Sequence, residues 1–282
     1  MSKIIVKSLK YKYPLTEALA LNGLTFQIER GEFIGIIGRN GAGKSTLCAA
    51  LSGLVPHFFK GAYGGSILID GINVKESKLS DIARKVGIVF QNPFTQMTGA
   101  KDSVTEELAF GMENLAIPKT EMVRRIDDAL RLLEIENLRD KNPFELSGGQ
   151  MQRVAIASIL VMLPEVIVLD EPTSQLDPQG TEEVFKAIKR LSNQGMTIIM
   201  VEHKTEKIAE YADRVMLLDQ GQIVAFDPPA KLFSLSNLEE RGVRPPVFTR
   251  VAKGLDIHDQ VGLYPVTLES TVNEVQKVYE SH

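Results

Sequence analysis

The sequence predicts an α/β fold: a mainly parallel sheet with helices on both faces, N-terminal antiparallel strands, and an inserted helical subdomain. Three observations lead there. Short apolar runs at residues 33–37, 86–90, 166–169, 197–201 and 215–218 have the length and composition of strands buried on both faces. Helical patterns fall between them, and strands alternating with helices argue for a parallel sheet. Between Gln91 and Pro164 the strand pattern stops and helical patterning takes over.

Taken in order, residues 1–12 alternate polar and apolar and read as a first strand, not as a signal peptide. Residues 24–28 alternate in the same way, and Gly31 marks the turn into the run at 33–37. Residues 46–51 follow a glycine-rich stretch as a helix. Residues 122–133 place Val123, Ile126, Leu130 and Leu133 at spacings of three and four, which makes one apolar stripe. A second, strongly apolar helix is expected over 151–163. After Gly221 the pattern weakens, and Pro228-Pro229 and Pro245-Pro246 punctuate it. The expected organisation is a core of residues 1–90 with 165–225, a helical subdomain 91–164 and a C-terminal appendage 226–282.

Composition excludes several classes. With 282 residues the chain can bury a substantial core. Lys plus Arg is 32 against 36 for Asp plus Glu, a net charge of -4. That balance provides neither an electrostatic footprint for nucleic acid nor a polybasic membrane patch. The one cysteine, Cys48, rules out an intrachain disulfide and fits a reducing compartment. Coming directly after the glycine-rich stretch, it reads as a small residue packed inside a helix, not as a redox switch. The longest apolar run, 154–163, falls short of the ~20 residues that span a bilayer. The expectation is a soluble, cytosolic chain that serves a membrane, if at all, as a peripheral subunit.

Gly38-Arg39-Asn40-Gly41-Ala42-Gly43-Lys44-Ser45 matches the G-x-x-x-x-G-K-[ST] phosphate-binding pattern, with a buried strand before it and a helix from Thr46 after it. Its glycines let the backbone wrap so that successive N–H groups face phosphate oxygens. The helix N-terminus adds positive potential. Lys44 can reach the β- and γ-phosphates of a nucleotide, and the Ser45 hydroxyl suits Mg²⁺.

Asp170 and Glu171 end the run at 166–169. Alone, such an acidic pair is usually just solvated. In an open sheet that carries a phosphate loop, strand ends face the ligand, so Asp170 is placed for Mg²⁺ and Glu171 for polarising the attacking water. Ser147 with Gln150 three residues on is a capping-box pattern. Gly148 and Gly149 between them are costly in a first helical turn and make sense where another backbone, or a phosphate, comes close. His203 follows the strand 197–201; a strand-end imidazole is usually packed or solvated, but in a sheet that carries a phosphate loop it could contact a γ-phosphate.

Together these residues resemble the ATP-binding cassette (ABC) family: phosphate loop 38–45, Gln91, Leu146-Ser147-Gly148-Gly149-Gln150, Asp170-Glu171, Ser174 to Asp177, and His203. The resemblance covers roughly residues 3 to 225 and implies a P-loop NTPase (RecA-like) core. It further implies that Tyr13 stacks on adenine and that Gln91 senses Mg²⁺ and the attacking water. Glu171 would be the general base and His203 would steady the γ-phosphate. Ser147 and Gly149, with Gly148 and Gln150, would act on ATP held by an opposite subunit. Ser174 and Asp177 bound the loop that would cross between subunits, where Gln175 replaces the family's usual alanine. A signature far along the chain from its phosphate loop implies two chains facing head to tail.

Phe90-Gln91-Asn92-Pro93-Phe94-Thr95-Gln96 and residues 106–115 further resemble energy-coupling factor importers, as does Val201-Glu202-His203-Lys204. That implies ATP-driven import of a vitamin or metal ion and docking of an integral membrane coupling protein near Pro93 to Gln96. Phe94 stands where that group favours aspartate. Homodimer and heterodimer with a second ATPase both remain open, and no nucleic-acid partner is expected. The alternatives are an ATPase of another ABC transporter class, a regulatory subunit without turnover, and a non-transport ABC ATPase acting on nucleic acid. The last carries a long coiled coil or a second cassette, and this chain has neither.

Overall fold

A computed structural model describes residues 2–280; Met1, at the start of the expected first strand, and Ser281 and His282, at the end of the expected appendage, lie outside the described residues. Strands β1 (Ser2–Lys12) and β2 (Leu21–Glu29) pair antiparallel and lead to β3 (Phe33–Ile37), helix α1 (Lys44–Leu51) and the short α2 (Leu54–His57). Strands β4 (Ala62–Ile69) and β5 (Ile72–Asn73) complete a four-stranded antiparallel sheet of order β2-β1-β4-β5. In β2, Leu24, Phe26 and Ile28 are buried and the residues between them exposed, the alternation expected of a sheet with one covered face.

Helix α3 (Leu79–Ala83) and β6 (Val86–Val89) precede the helical insertion, made of α4 (Val104–Asn114), α5 (Lys119–Leu132) and α6 (Gly148–Leu160). The chain then returns through β7 (Val166–Asp170), α7 (Pro178–Asn193), β8 (Thr197–Val201), α8 (Thr205–Tyr211), β9 (Arg214–Asp219) and β10 (Gln222–Asp227). The second sheet has order β10-β9-β3-β8-β7-β6, parallel except for the β9–β10 pair. Three helices, α9 (Pro229–Phe233), α10 (Val247–Gly254) and α11 (Leu268–Glu280), form the appendage.

The parallel sheet divides two cores, and strand alternation does the dividing. Ile167, Leu169, Ile198 and Met200 face the helical insertion, whereas Val166, Val168, Ile199 and Val201 face α1 and the antiparallel sheet. All eight are fully buried, each worth ~1.5–3 kcal/mol of transfer free energy. An ionic knot centred on one buried lysine also joins the antiparallel sheet to the parallel one. Lys3, with no exposed side-chain surface, pairs with Asp70 and Glu165, and Lys85 bonds Glu165 at 3.0 Å.

Several local expectations differ from the structure. Strand β6 ends at Val89 and leaves Phe90 partly exposed. Val123 lies outside the apolar stripe of α5 at 47% exposure, while Ile126, Leu130 and Leu133 are buried. Helix α6 ends at Leu160, three residues before the expected end, while its start at Gly148 is set by the expected Ser147–Gln150 capping box. Strands β4, β5 and β10 escaped the sequence reading: β4 carries two glycines, β5 is two residues long, and β10 lies at a sheet edge where little burial imposes a pattern.

Candidate active site

The order β3-β8-β7 builds the site. Val201 at the end of β8 is level with Ile36 on one side and Asp170 on the other. The segments that follow these strands, Gly38 to Ser45, His203 and Glu171, therefore emerge side by side although far apart in sequence. Adjacent strands are only ~4.8 Å apart.

The phosphate loop wraps the start of α1. Gly38 has φ +149, and a Cβ there would sit 2.2 Å from the Leu218 carbonyl, so only glycine fits. Lys44 is 5% exposed, and its ammonium donates to the carbonyls of Gly38 (2.9 Å) and Arg39 (3.2 Å). Burial pulls the Lys44 pKa down from its ordinary value, against the opposing charges of Glu171 and Asp170. Ser45 Oγ donates to Asp170 Oδ1 at 3.1 Å. Burial raises the Asp170 pKa, and the nearby Glu171 adds to this while the Ser45 hydrogen bond opposes it.

Glu171 gathers the remaining candidates. Its φ of +52 is left-handed, a sparsely populated conformation for a side-chain-bearing residue, and its N–H is held by the Val201 carbonyl at 3.0 Å. One carboxylate oxygen lies 2.9 Å from His203 Nε2 and the other accepts from Gln91 Nε2 at 3.2 Å. Lys44 Nζ is 4.0 Å away. Tyr13, Asn40, Gly41, Gly43, Lys44, Ser45, Thr46, Gln91 and Glu171 line one cavity of 480 Å³. Tyr13 reaches its rim from the end of β1, with its hydroxyl 3.2 Å from Thr46 Oγ1 and its ring edge-on to Tyr11. Cys48 is buried on α1, and burial pushes its thiol pKa well up, as a packed, unreactive residue requires.

The Ser147–Gln150 segment lies elsewhere. It lines a separate polar cavity of 420 Å³ with Arg153, Asp177, Gln179, Gly180 and Glu183, and no residue lines both. Ser147 accepts the Gln150 N–H at 3.4 Å, and Gln150 Oε1 accepts the Ser147 N–H at 3.2 Å. Asp177 caps α7 by accepting the Gly180 N–H at 2.7 Å. A larger cavity of 640 Å³, between α5 and the ends of α6 and α7, is far from this chemistry and mainly apolar-floored.

The ABC transporter family model matches residues 21–174. The chain belongs to the ABC transporter family. It is 44% identical over 259 residues to an ABC transporter ATP-binding protein of Pyrococcus abyssi, covering 91% of each chain. It is 43% identical over 235 residues to the energy-coupling factor transporter ATP-binding protein EcfA1 of Latilactobacillus sakei, covering 83% of this chain and 81% of that one. Among solved structures, cbiO1 of Clostridium perfringens, part of the ABC transporter complex cbiONQ, matches with a TM-score of 0.76 at 34% identity, covering 91% of this chain and 99% of that one. This ABC protein is thus an ATP-binding, ATP-hydrolysing subunit of a transporter.

Two features of the ABC site were missed from sequence. Arg39 Nε lies 2.9 Å from Asp219, which also binds Arg241 of the appendage at 3.0 Å. The second is a cluster of buried Thr173, Glu202 and Thr181 with half-buried Lys204, beside His203. In the sequence, Glu202 and Lys204 count only toward the resemblance to energy-coupling factor importers, with no structural role of their own. A carboxylate directly after a fully buried strand was the available signal. The Gln96 side chain also points inward, donating to Ala155 O (3.0 Å) and Ser158 Oγ (3.3 Å), so it anchors its segment to α6.

Proposed function

We propose that this ABC ATPase powers import of a small solute, a vitamin or a metal ion, through an integral membrane partner, by closing as a dimer around ATP. The separation of the two polar cavities carries this reading. One chain holds a phosphate cradle and, apart from it, a capped helix tip whose first-turn amides lack helical acceptors. Two such half-sites satisfy each other when a second ATPase, identical or related, faces the first. Ser147, Gly148, Gly149 and Gln150 then meet the γ-phosphate held by the opposite subunit, with Ser174 and Asp177 bounding the loop between them.

Within each site, amides of residues 38–46 and Lys44 hold the phosphates, and Tyr13 stacks on adenine. Glu171 takes a proton from water, Gln91 orients that water, and His203 steadies the γ-phosphate. The Ser45 and Asp170 oxygens, 3.1 Å apart, are hard donors that fit Mg²⁺, with Gln91 close by. Bound there, the ion would supply neutralisation of phosphate charge. The names of the EcfA1 and cbiONQ relatives support import. Phe94 (51% exposed) and Phe144 (47%), with rings 6.3 Å apart, give the Pro93–Gln96 region an apolar surface suited to a membrane coupling protein. Among the described residues no helix is long and apolar enough to cross a membrane, which suits a peripheral subunit at the cytoplasmic face.

The test uses Glu171→Gln, alone and with its co-purifying membrane subunits, and mass by light scattering. ATP should drive dimerisation. Adding Ser147→Asp keeps a good N-cap but sets a carboxylate against the triphosphate, so ATP binding should persist and the dimer should be lost. A Ser147→Asp form that dimerises like its parent would refute the shared site.

A further inference from the structure

The turn that carries His203 is joined to the Ser174–Asp177 segment by a buried polar cluster for which the proposed mechanism has no use. Thr173 is fully buried and Glu202 is 2% exposed. The Glu202 carboxylate accepts the Thr173 hydroxyl and the N–H groups of His203 (2.6 Å) and Lys204 (3.3 Å). The Lys204 ammonium crosses back to donate to the Thr173 carbonyl (3.0 Å), the Thr173 hydroxyl (3.0 Å) and the Thr181 hydroxyl (2.6 Å). Its three contacts match the three donors an ammonium has.

This connectivity has a direction. Thr173 precedes Ser174, and Thr181 lies in the first turn of α7, just after Asp177. The two residues flanking His203 therefore grip both ends of the 174–177 segment. Burying the Glu202 carboxylate beside a half-buried ammonium is costly, and that cost is offset only while every partner stays in place. A cluster of this kind shifts as a unit instead of bending.

We propose that Glu202 and Lys204 are positioning residues that tie His203 to the Ser174–Asp177 segment, so that contact between His203 and a γ-phosphate displaces the loop facing the opposite subunit. The inference rests on the roles given above to His203 and to that loop. It adds the mechanical link between them within one chain.

The test is steady-state ATP hydrolysis by the full chain carrying Glu202→Gln, Lys204→Met, Thr181→Val, Thr173→Val or Thr173→Ser. Gln at 202 turns one acceptor oxygen into a donor and leaves one of three donors unmatched. Lys204→Met removes the crossing strut, and Thr181→Val removes one contact without touching Glu202, which keeps the test alive if Glu202→Gln fails to fold. A misplaced His203 should lower kcat about 10- to 100-fold in Glu202→Gln and Lys204→Met, with KM for ATP within about twofold because the phosphate loop is untouched. Thr173→Ser, which keeps the hydroxyl, should match wild type while Thr173→Val does not. In a Glu171→Gln background, Lys204→Met should weaken ATP-driven dimerisation. If Lys204→Met and Thr181→Val hydrolyse and dimerise normally while His203→Ala loses turnover, the link is refuted and the proposed function stands. If Thr173→Ser is as impaired as Thr173→Val, or kcat falls only in step with the melting temperature, the cluster is merely structural and the link is refuted. If His203→Ala turns over normally, both fall.

Discussion

Gly149→Ala separates a glycine required by packing from one required by ligand. Gly149 of α6 faces Gly180 of α7 backbone to backbone: a Cβ at 149 would lie 2.9 Å from the Gly180 Cα. Carbon pairs settle at ~3.5–4.0 Å, so the two helix starts must part by roughly 0.6–1 Å, and no side-chain rotation relieves the contact. Overpacking of this kind costs about 1–3 kcal/mol, and alanine's helical preference returns at most ~1 kcal/mol, less in a first turn. The net loss is about 1 kcal/mol, a fall of about 2–4 °C in melting temperature for a chain of this size. Gly148→Ala is the control. Its nearest neighbour would be a methyl of Leu176 at 3.2 Å, which can rotate away, so no fall is expected. Differential scanning fluorimetry on both variants decides. A Gly149→Ala chain that melts at or above wild type, or a Gly148→Ala chain that falls as far, refutes the packing argument. For the same reason a charge at 149 confounds folding with repulsion, and Ser147→Asp is the cleaner probe of the signature.

Lys44→Met removes the buried cation of the loop, and at ~1.5–3 kcal/mol for a charged hydrogen bond affinity for a fluorescent ATP analogue should fall about 10- to 150-fold; retained affinity would deny the loop its phosphate role. Lys3 and then Lys85 hold the Glu165 carboxyl down to about 2. A depressed carboxyl stabilises the fold above its unfolded value of ~4.3 and loses that contribution as pH falls through about 2. Glu165→Gln should therefore have a lower urea midpoint than wild type at pH 7, and the gap should close as the pH drops from ~4.5 toward 2; a gap independent of pH would remove the ionic explanation. Arg241→Ala frees Asp219, whose contact with Arg39 is close without being an aligned hydrogen bond, and should raise KM for ATP about two- to fivefold with kcat nearly unchanged. An unchanged KM would show that the appendage does not reach the loop.

The parts of the fold that were legible are those where one physical demand fixes many residues. Strands β3 and β8 are buried throughout, so every position had to be apolar or small and the runs stood out. The phosphate loop was legible because a backbone wrapped around an anion admits few alternatives to glycine, as the carbonyl 2.2 Å from a hypothetical Gly38 Cβ shows. Where burial is partial the signal fades. Strand β10 has no buried residue, only exposed and half-buried ones, and the appendage helices cover only one side, with Val251 and Leu255 left exposed. At Gly149 the sequence indicates a close approach without telling the approaching group, and Gly180 supplies a backbone for it.

Pairings between distant segments were hidden for a different reason. Nothing near Glu202 indicates that Thr173 and Thr181 will satisfy it and Lys204, because β7, α7 and β8 are brought together only by the order of the sheet. The same order explains why the candidate site could be named residue by residue but not assembled. Gly38, Glu171 and His203 each follow an apolar strand, and each alone has an ordinary reading as a turn or a solvated end. Their convergence depends on β8, the strand that carries His203, lying between β3 and β7. Had β8 formed at an edge, its imidazole would lie at least one further strand spacing, ~4.8 Å, from Glu171, beyond the 2.9 Å contact observed. The position of one strand in the sheet therefore decides whether this sequence can bring that imidazole and that carboxylate together at the strand ends.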